Sequence, residues 1–147
     1  MNKLELYRKP YLIAEIGINH NGSVAIAKKM IDAAKENNFD AVKFQKRDPD
    51  ICVPEDQKYK MRDTPWGNIT YLGYKKKIEL NLKQLTFLRD YSKKLKLDFS
   101  ASCFDANSLN LVNKINTFNK VPSAMITNTL FLEQVALQKK KTFISTG

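Results

Sequence analysis

Along the chain, blocks of apolar residues with two different spacings follow one another. Residues 11–17 (YLIAEIG) form a nearly unbroken apolar run interrupted only by Glu15, which suits a parallel strand covered on both faces. A polar turn, Asn19-His20-Asn21-Gly22-Ser23, comes next. Ser23 can cap a helix in which Ala27, Met30, Ile31 and Ala34 recur at i, i+3, i+4, i+7. The helix is expected to run to about Asn37 and to end near Asn38. Ala41 to Gln45 (AVKFQ) reads as a second strand, so the first 45 residues make one β-α-β unit.

Residues 46–78 break this rhythm. They contain Pro54, Pro65 and Gly67, and their length exceeds an ordinary strand-to-helix connection, so a functional loop is expected there. A helical pattern resumes around Glu79, with Leu82, Leu85, Leu88, Tyr91 and Leu95 on one face. Asp98 to Phe104 reads as the third strand, Asn107 to Ile115 as a short helix and Lys120 to Ala124 as a fourth strand. Asn128 to Gln138 reads as a fourth helix, and Thr142 to Ser145 begins a fifth strand. Strand and helix alternate with no run of hairpins, which specifies α/β with a parallel sheet. The absence of GxGxxG after the first strand and of GxxxxGK[ST] weakens the nucleotide-binding versions of that class. Polar residues at strand ends (Glu15, Lys43, Ser102, Lys120) favour a (β/α) TIM-type barrel, whose active sites lie at the C-terminal strand ends.

Composition changes this picture little. The 147 residues are 43% hydrophobic and 27% charged, ordinary values for a globular protein. No apolar run approaches a membrane span, and residues 1–10 lack the pattern of a secretory leader, so a cytoplasmic protein without membrane contact is expected. Cys52 and Cys103 lack CxxC spacing and read as reduced thiols. The net charge of +10 comes mostly from lysine, 21 of 25 basic residues, clustered weakly at Lys75–Lys77 and Lys139–Lys141. Without an arginine-rich stripe or a recognition motif, solvated helix faces explain the charge better than nucleic acid does. Part of it can favour an anionic substrate.

Five side chains carry candidate chemistry. Lys43 sits in an apolar strand, where an unpaired ammonium is costly. Either its head snorkels out or pairs with Glu15, or it is held ready for phosphate or carboxylate. Lys120 repeats the arrangement two strands on. Together with the hydroxyls of Ser102 and Ser123, the two lysines read as a phosphate-carboxylate receptor. Glu15 either balances Lys43 or assists proton transfer. His20 is the only histidine, too few for a metal site built from nitrogen ligands.

These residues fall within motifs. Residues 15–22 (EIGINHNG) resemble the first-strand signature of the N-acetylneuraminate (sialic acid) synthase family, and AVKFQ around Lys43 resembles its second-strand motif. Residues 62–75 (RDTPWGNITYLGYK), SASCF around Ser102, KVPSAMITN from Lys120 and the final ISTG resemble later family segments in the same order. The resemblance implies the N-terminal portion, over residues 1–147, of a sialic-acid-synthase-type (β/α)8 barrel: about four βα units plus the start of a fifth strand. The other half-barrel and an antifreeze-like domain would be absent.

The implied reaction condenses phosphoenolpyruvate with N-acetylmannosamine or a related amino sugar. Lys43, Ser102, Lys120 and Ser123 would hold phosphoenolpyruvate, and Glu15 would lie by the reacting carbonyl. Asn19, Trp66 and Tyr71 would lie towards the sugar. The family's divalent metal, Mn2+ or Mg2+, would take its histidine ligands from outside this chain, and the full-length family would be homodimeric. Met125 departs from the pattern by standing where glutamate is usual. A barrel of this kind needs about 250 residues. The alternative reading is therefore a non-catalytic remnant, or a half-barrel that associates with itself.

Overall fold

The computed structural model describes residues 9–147. Residues 1–8, most of the stretch read above for a leader, lie outside it. Strand β1 (Ile13–Gly17) pairs in parallel with β2 (Ala41–Lys46), and β2 with β5 (Asp98–Cys103). Helix α1 (Val24–Glu36) joins β1 to β2, with the Ser23 side chain accepting from Ile26 N–H as its cap. Helix α4 (Leu82–Lys94) leads into β5. It starts with a capping box in which Asn81 and Gln84 each satisfy the other's backbone N–H.

Helices cover one face of this sheet. Val42, Phe44, Phe99 and Ala101 point into that layer and meet Ala27, Ile31, Leu85 and Leu88 in one buried cluster. The rings of Phe44 and Phe99 stack at 5.3 Å. Because successive residues of a strand alternate, Lys43, Ser100 and Ser102 are directed to the opposite face. At the N-terminal end of that face, Tyr11 stacks on Phe143 at 6.1 Å and meets Phe118 edge-on at 6.3 Å.

A second parallel pair, β6 (Asn119–Val121) with β7 (Thr142–Ile144), continues the arrangement. Helix α5 (Ala106–Val112) precedes it and α6 (Thr129–Leu137) joins its strands. The seam between β5 and β6 is not a regular ladder. Thr117 N–H donates to Phe99 O at 2.8 Å, and Ser100 Oγ donates to Phe118 O at 2.7 Å. The buried Asn116 amide accepts from Ala101 N–H at 2.9 Å and donates to Ala101 O at 3.0 Å, standing in for a peptide unit.

Two expectations need correction. The fourth strand ends at Val121 rather than Ala124. Pro122 lacks an N–H, and Met125 N–H turns back to Pro122 O to start a 3-10 turn over Ser123–Met125. Residues 46–78 are not a structureless loop, and a hairpin interrupts the alternation. They hold a short helix α2 (Pro49–Cys52), a 3-10 turn at Glu55–Gln57, the antiparallel strands β3 (Met61–Thr64) and β4 (Gly67–Thr70), and helix α3 (Tyr71–Ile78). Pro65 and Trp66 make the tight connection, braced by Thr64 Oγ1 donating to Gly67 O at 2.7 Å.

The insert is docked on the sheet. Gly22, at φ +75°, lies so close to the end of α3 that a Cβ there would stand 2.2 Å from Lys77 O. Any side chain would push the turn after β1 off this insert.

If Asn116 closes the β5–β6 seam, Asn116→Ala strips two bonds from Ala101 and should cost about 2 kcal/mol. It should also speed hydrogen exchange at the Ala101 amide. Unchanged exchange there would contradict the role given to Asn116.

Candidate active site

Lys43 is the middle of the site. Its flanking residues Val42 and Phe44 are committed to the helix layer, so the strand turns the lysine to the other face. There its side chain is only 4% exposed, and its ammonium donates to Ser102 Oγ at 2.9 Å and pairs with Glu15 Oε2 at 2.8 Å. Three adjacent strands thus each supply one partner, in a parallel register that sets Glu15 opposite Lys43. A buried ammonium requires such partners. Glu15 is different: 59% of its side chain is exposed, so it is open to partners other than Lys43.

Lys120, on β6, donates to Val121 O at 3.1 Å. Burial lowers its pKa, the charge of Lys43 lowers it further, and Glu15 opposes both. The two lysines and the glutamate therefore feel one another, with two ammonium groups facing one carboxylate. An anion arriving here would complete the charge balance. Ser123 opens the 3-10 turn just beyond β6 and is exposed.

Above this tier lies a cavity of about 420 Å³ over the C-terminal strand ends. Ile18 follows β1, Arg47 follows β2, Phe104 follows β5 and Met125 follows β6, while Tyr71 and Lys75 of α3 reach over from the insert. Tyr71 is thus the one sugar-side candidate that lines the cavity. Asn19 is exposed in the turn after β1, where its N–H donates to Ile16 O at 3.1 Å. Trp66 sits at the hairpin tip, 6.2 Å from Tyr74 and 5.7 Å beneath Lys77 Nζ. Neither lines the cavity.

Several residues that shape this region carried no motif signal of their own. Glu79 accepts from Lys46 Nζ at 3.0 Å and from Arg47 N–H at 3.3 Å, fixing the chain as it leaves β2. Asp105 accepts from Asp48 N–H at 2.8 Å and from the Ser108 hydroxyl at 2.8 Å, tying the loop after β2 to the loop after β5. Arg47 lies over the Phe104 ring at 4.4 Å and donates to Gln45. The available hint for Arg47 and Asp105 was a charge shortly after an apolar strand, whereas Lys43 and Lys120 lie within theirs.

Other reactive groups are quiet. Burial, aided by Asp105, pushes the Cys52 thiol up to about 12, so it stays protonated. His20 is buried, its Nδ1 accepts from Gly22 N–H at 3.0 Å, and burial holds it below the ordinary histidine value. Among the described residues, no group of three or more His, Cys, Asp or Glu side chains could hold a metal ion. The residues present do not fit the metal that the resemblance implies. No helix of the described residues is long and apolar enough to cross a membrane.

The profile of the NeuB family matches residues 30–147, which include Lys43, Ser102, Lys120 and Ser123. The chain belongs to the NeuB family. It is 35% identical over 144 residues to the N,N'-diacetyllegionaminic acid synthase of Campylobacter jejuni, covering 95% of this chain and 43% of the relative. It is 38% identical over 141 residues to the N-acetylneuraminate-9-phosphate synthase of Drosophila melanogaster, covering 93% and 37%. The crystal structure of the N-acetylneuraminic acid synthetase from Leptospira borgpetersenii, in complex with citrate, superposes with a TM-score of 0.82 at 28% identity. That match covers 95% of this chain and 45% of the other. This NeuB-family chain spans about two fifths of the length of these relatives.

The lowered pKa of Lys120 has a measurable sign. While the lysine is protonated in the fold its burial penalty is present in full, and it is relieved as pH rises from the folded pKa towards 10.5. Lys120→Met should therefore gain most in stability, relative to the wild type, near neutral pH. The gain should shrink as pH approaches 10.5 in a series of denaturant melts. A difference independent of pH would contradict the depressed pKa.

Proposed function

We propose that this chain carries the phosphoenolpyruvate-binding portion of a nonulosonic acid synthase, built as the first four βα units and the start of the fifth strand of a (β/α) barrel. The observation that carries this reading is the buried Lys43 ammonium, held by Glu15 and Ser102 within the electrostatic reach of Lys120. Two cations and a hydroxyl donor on one face suit a ligand with both phosphate and carboxylate groups. Ser123, exposed just beyond the end of β6, would add a second hydroxyl. The synthases among the relatives make products of one chemical kind, sialic and legionaminic acids, which supports the same class here.

In the proposed reaction, C3 of phosphoenolpyruvate attacks the aldehyde carbon of an open-chain N-acetylated amino sugar, water adds at C2, and phosphate leaves. Lys43, Lys120, Ser102 and Ser123 fix the enol ester, which lowers the entropic part of the barrel reaction's activation free energy. Glu15, with 59% of its side chain exposed, would give or take the proton at the carbonyl oxygen. Tyr71, with Asn19 and Trp66 further out, would meet the sugar.

A specific observation favours a second reading, in which the chain functions by association. Among the described residues β1 has a neighbour on one side only, and beside it runs a groove of about 480 Å³ lined by Ile13, Ala14, Ile16, Met30 and Phe39. An open parallel edge with an apolar groove accepts another strand and helix, whether from further barrel units or from a second copy. Sedimentation of the 147-residue chain should show concentration-dependent association. A stable monomer at all concentrations would sink this second reading.

The main reading predicts that the full-length gene product releases phosphate from phosphoenolpyruvate only when an N-acetylated hexosamine is present. No product with any such sugar would refute it. Lys43→Met should weaken phosphoenolpyruvate binding about a hundredfold, the loss of one to two charge-assisted contacts.

A further inference from the structure

The proposed reaction gives His20 no task, yet the side chain is only 1% exposed. Its ring lies against Phe44 of β2, with centroids 5.7 Å apart, on the helix side of the sheet. Nδ1 accepts from Gly22 N–H at 3.0 Å, so the single proton of the neutral ring sits on Nε2. Nε2 is buried without a hydrogen-bond partner among the described residues. The Gly17 carbonyl favours a second proton on the ring, and burial outweighs it.

The imidazole holds the chain where it is least relaxed. Asn21 and Gly22 are both left-handed, at φ +48° and +75°. The N–H groups of Gly22 and Ser23 both return to His20, one to its ring and the other to its carbonyl at 2.9 Å. On its other side Gly22 abuts the end of α3, where a Cβ would stand 2.2 Å from Lys77 O and 3.5 Å from Ile78 Cα. Ile78 is fully buried, and Glu79 after it fixes Lys46 and the Arg47 backbone. The turn and the end of α3 therefore fit as one piece, and α3 carries Tyr71 and Lys75 over the cavity.

We propose that His20 is a positioning residue that works only as the neutral imidazole. It holds the Asn21–Gly22 turn against the end of α3, and a second proton, on Nδ1, releases the insert from the sheet. Protonated Nδ1 becomes a donor facing the Gly22 donor, so the one bond that ties the ring to the turn is lost. The latch follows from this geometry alone. Only its effect on catalysis rests on the reading above.

Among the described residues, the charged groups of the surrounding elements are engaged elsewhere. From β1 and β2, Glu15 pairs with Lys43 at 2.8 Å, and Glu79 takes Lys46 at 3.0 Å and Arg47 at 4.0 Å. From α3, Lys76 pairs with Asp50 at 2.8 Å, while Lys75 and Lys77 lie over Tyr71 and Trp66. From α1, Lys28 lies over the Tyr91 ring and Asp32 accepts from the Tyr91 hydroxyl. An imidazolium would gain no counter-charge from them. With its folded pKa held below 6.5, the docked form is complete above 6.5 and is lost as pH falls through the folded pKa.

Amide hydrogen exchange of the full-length gene product, corrected for the intrinsic rate, reads the latch at Gly22 and along α3. In the wild type, exchange there should be slow above pH 6.5. It should quicken about tenfold as the pH is lowered past the folded pKa, while amides of β2 and β5 stay protected. His20→Asn keeps an acceptor for the Gly22 N–H but takes up no proton, so its profile should be flat with pH. His20→Leu removes the acceptor and should exchange fast at every pH. If His20→Leu also loses protection in β2 and β5, the wild-type and His20→Asn profiles decide. Phosphate release from phosphoenolpyruvate with an N-acetylated hexosamine should follow the latch. The wild-type rate, relative to His20→Asn, should fall with the same midpoint.

A wild-type exchange profile flat with pH, or a His20→Asn profile that follows the wild type, would overturn the proposal. Release of the insert with a constant rate ratio would overturn the positioning role. A pH-dependent latch with no phosphate release at any pH would instead sink the parent reading and leave the latch standing.

Discussion

The arrangement depends on one constraint: an ammonium group in the middle of a parallel strand must be given partners. Lys43 lies between two residues that the helix layer completely buries, so it cannot swing out along the strand. It is satisfied only because β1 and β5 run beside β2 in a register that brings Glu15 and Ser102 within 3 Å. The same register sets the helix-side residues into one apolar cluster. A one-residue slip of a strand would exchange the two faces, putting lysine among phenylalanines and phenylalanine in the site. Fold and site are therefore specified together.

The ion pair is not a device for stability. A half-buried pair of this kind contributes little, because desolvation offsets most of the attraction. Its significance lies in asymmetry. The lysine is held and the glutamate is mostly open to solvent, while a second lysine with a depressed pKa stands close by. Such a cluster has excess positive charge at a point that hydrophobic packing makes rigid, and an incoming anion relieves the repulsion. Preorganised charge of this sort is what a site needs in order to bind a phosphorylated carboxylate without rearranging.

Much of this was legible in the residues. Apolar runs broken by a single charge marked β1 and β2, and Ser23 announced the start of α1. Polar residues in successive strands pointed to a shared face before any contact was known. The insert was harder, because Pro54, Pro65 and Gly67 are as compatible with an irregular loop as with the hairpin they form. Helix α3 carries lysines at three successive positions, Lys75 to Lys77, with a weak apolar stripe, so its period is faint. Strand β6 was overextended because Pro122 ends its pairing while the apolar pattern continues. Arg47, Glu79 and Asp105 act through contacts made across 30 residues or more of chain, and no local pattern encodes those.

The central claim is that Lys43 exchanges part of its present partnership for an anion. The most direct measurement is a crystal structure of the full-length gene product soaked with phosphoenolpyruvate. The account predicts ligand oxygens within hydrogen-bonding distance of Lys43 Nζ, Lys120 Nζ and Ser102 Oγ, on the face opposite the helix layer. Phosphoenolpyruvate bound elsewhere, with the pairing of Lys43 to Glu15 and Ser102 undisturbed and Lys120 untouched, would contradict it.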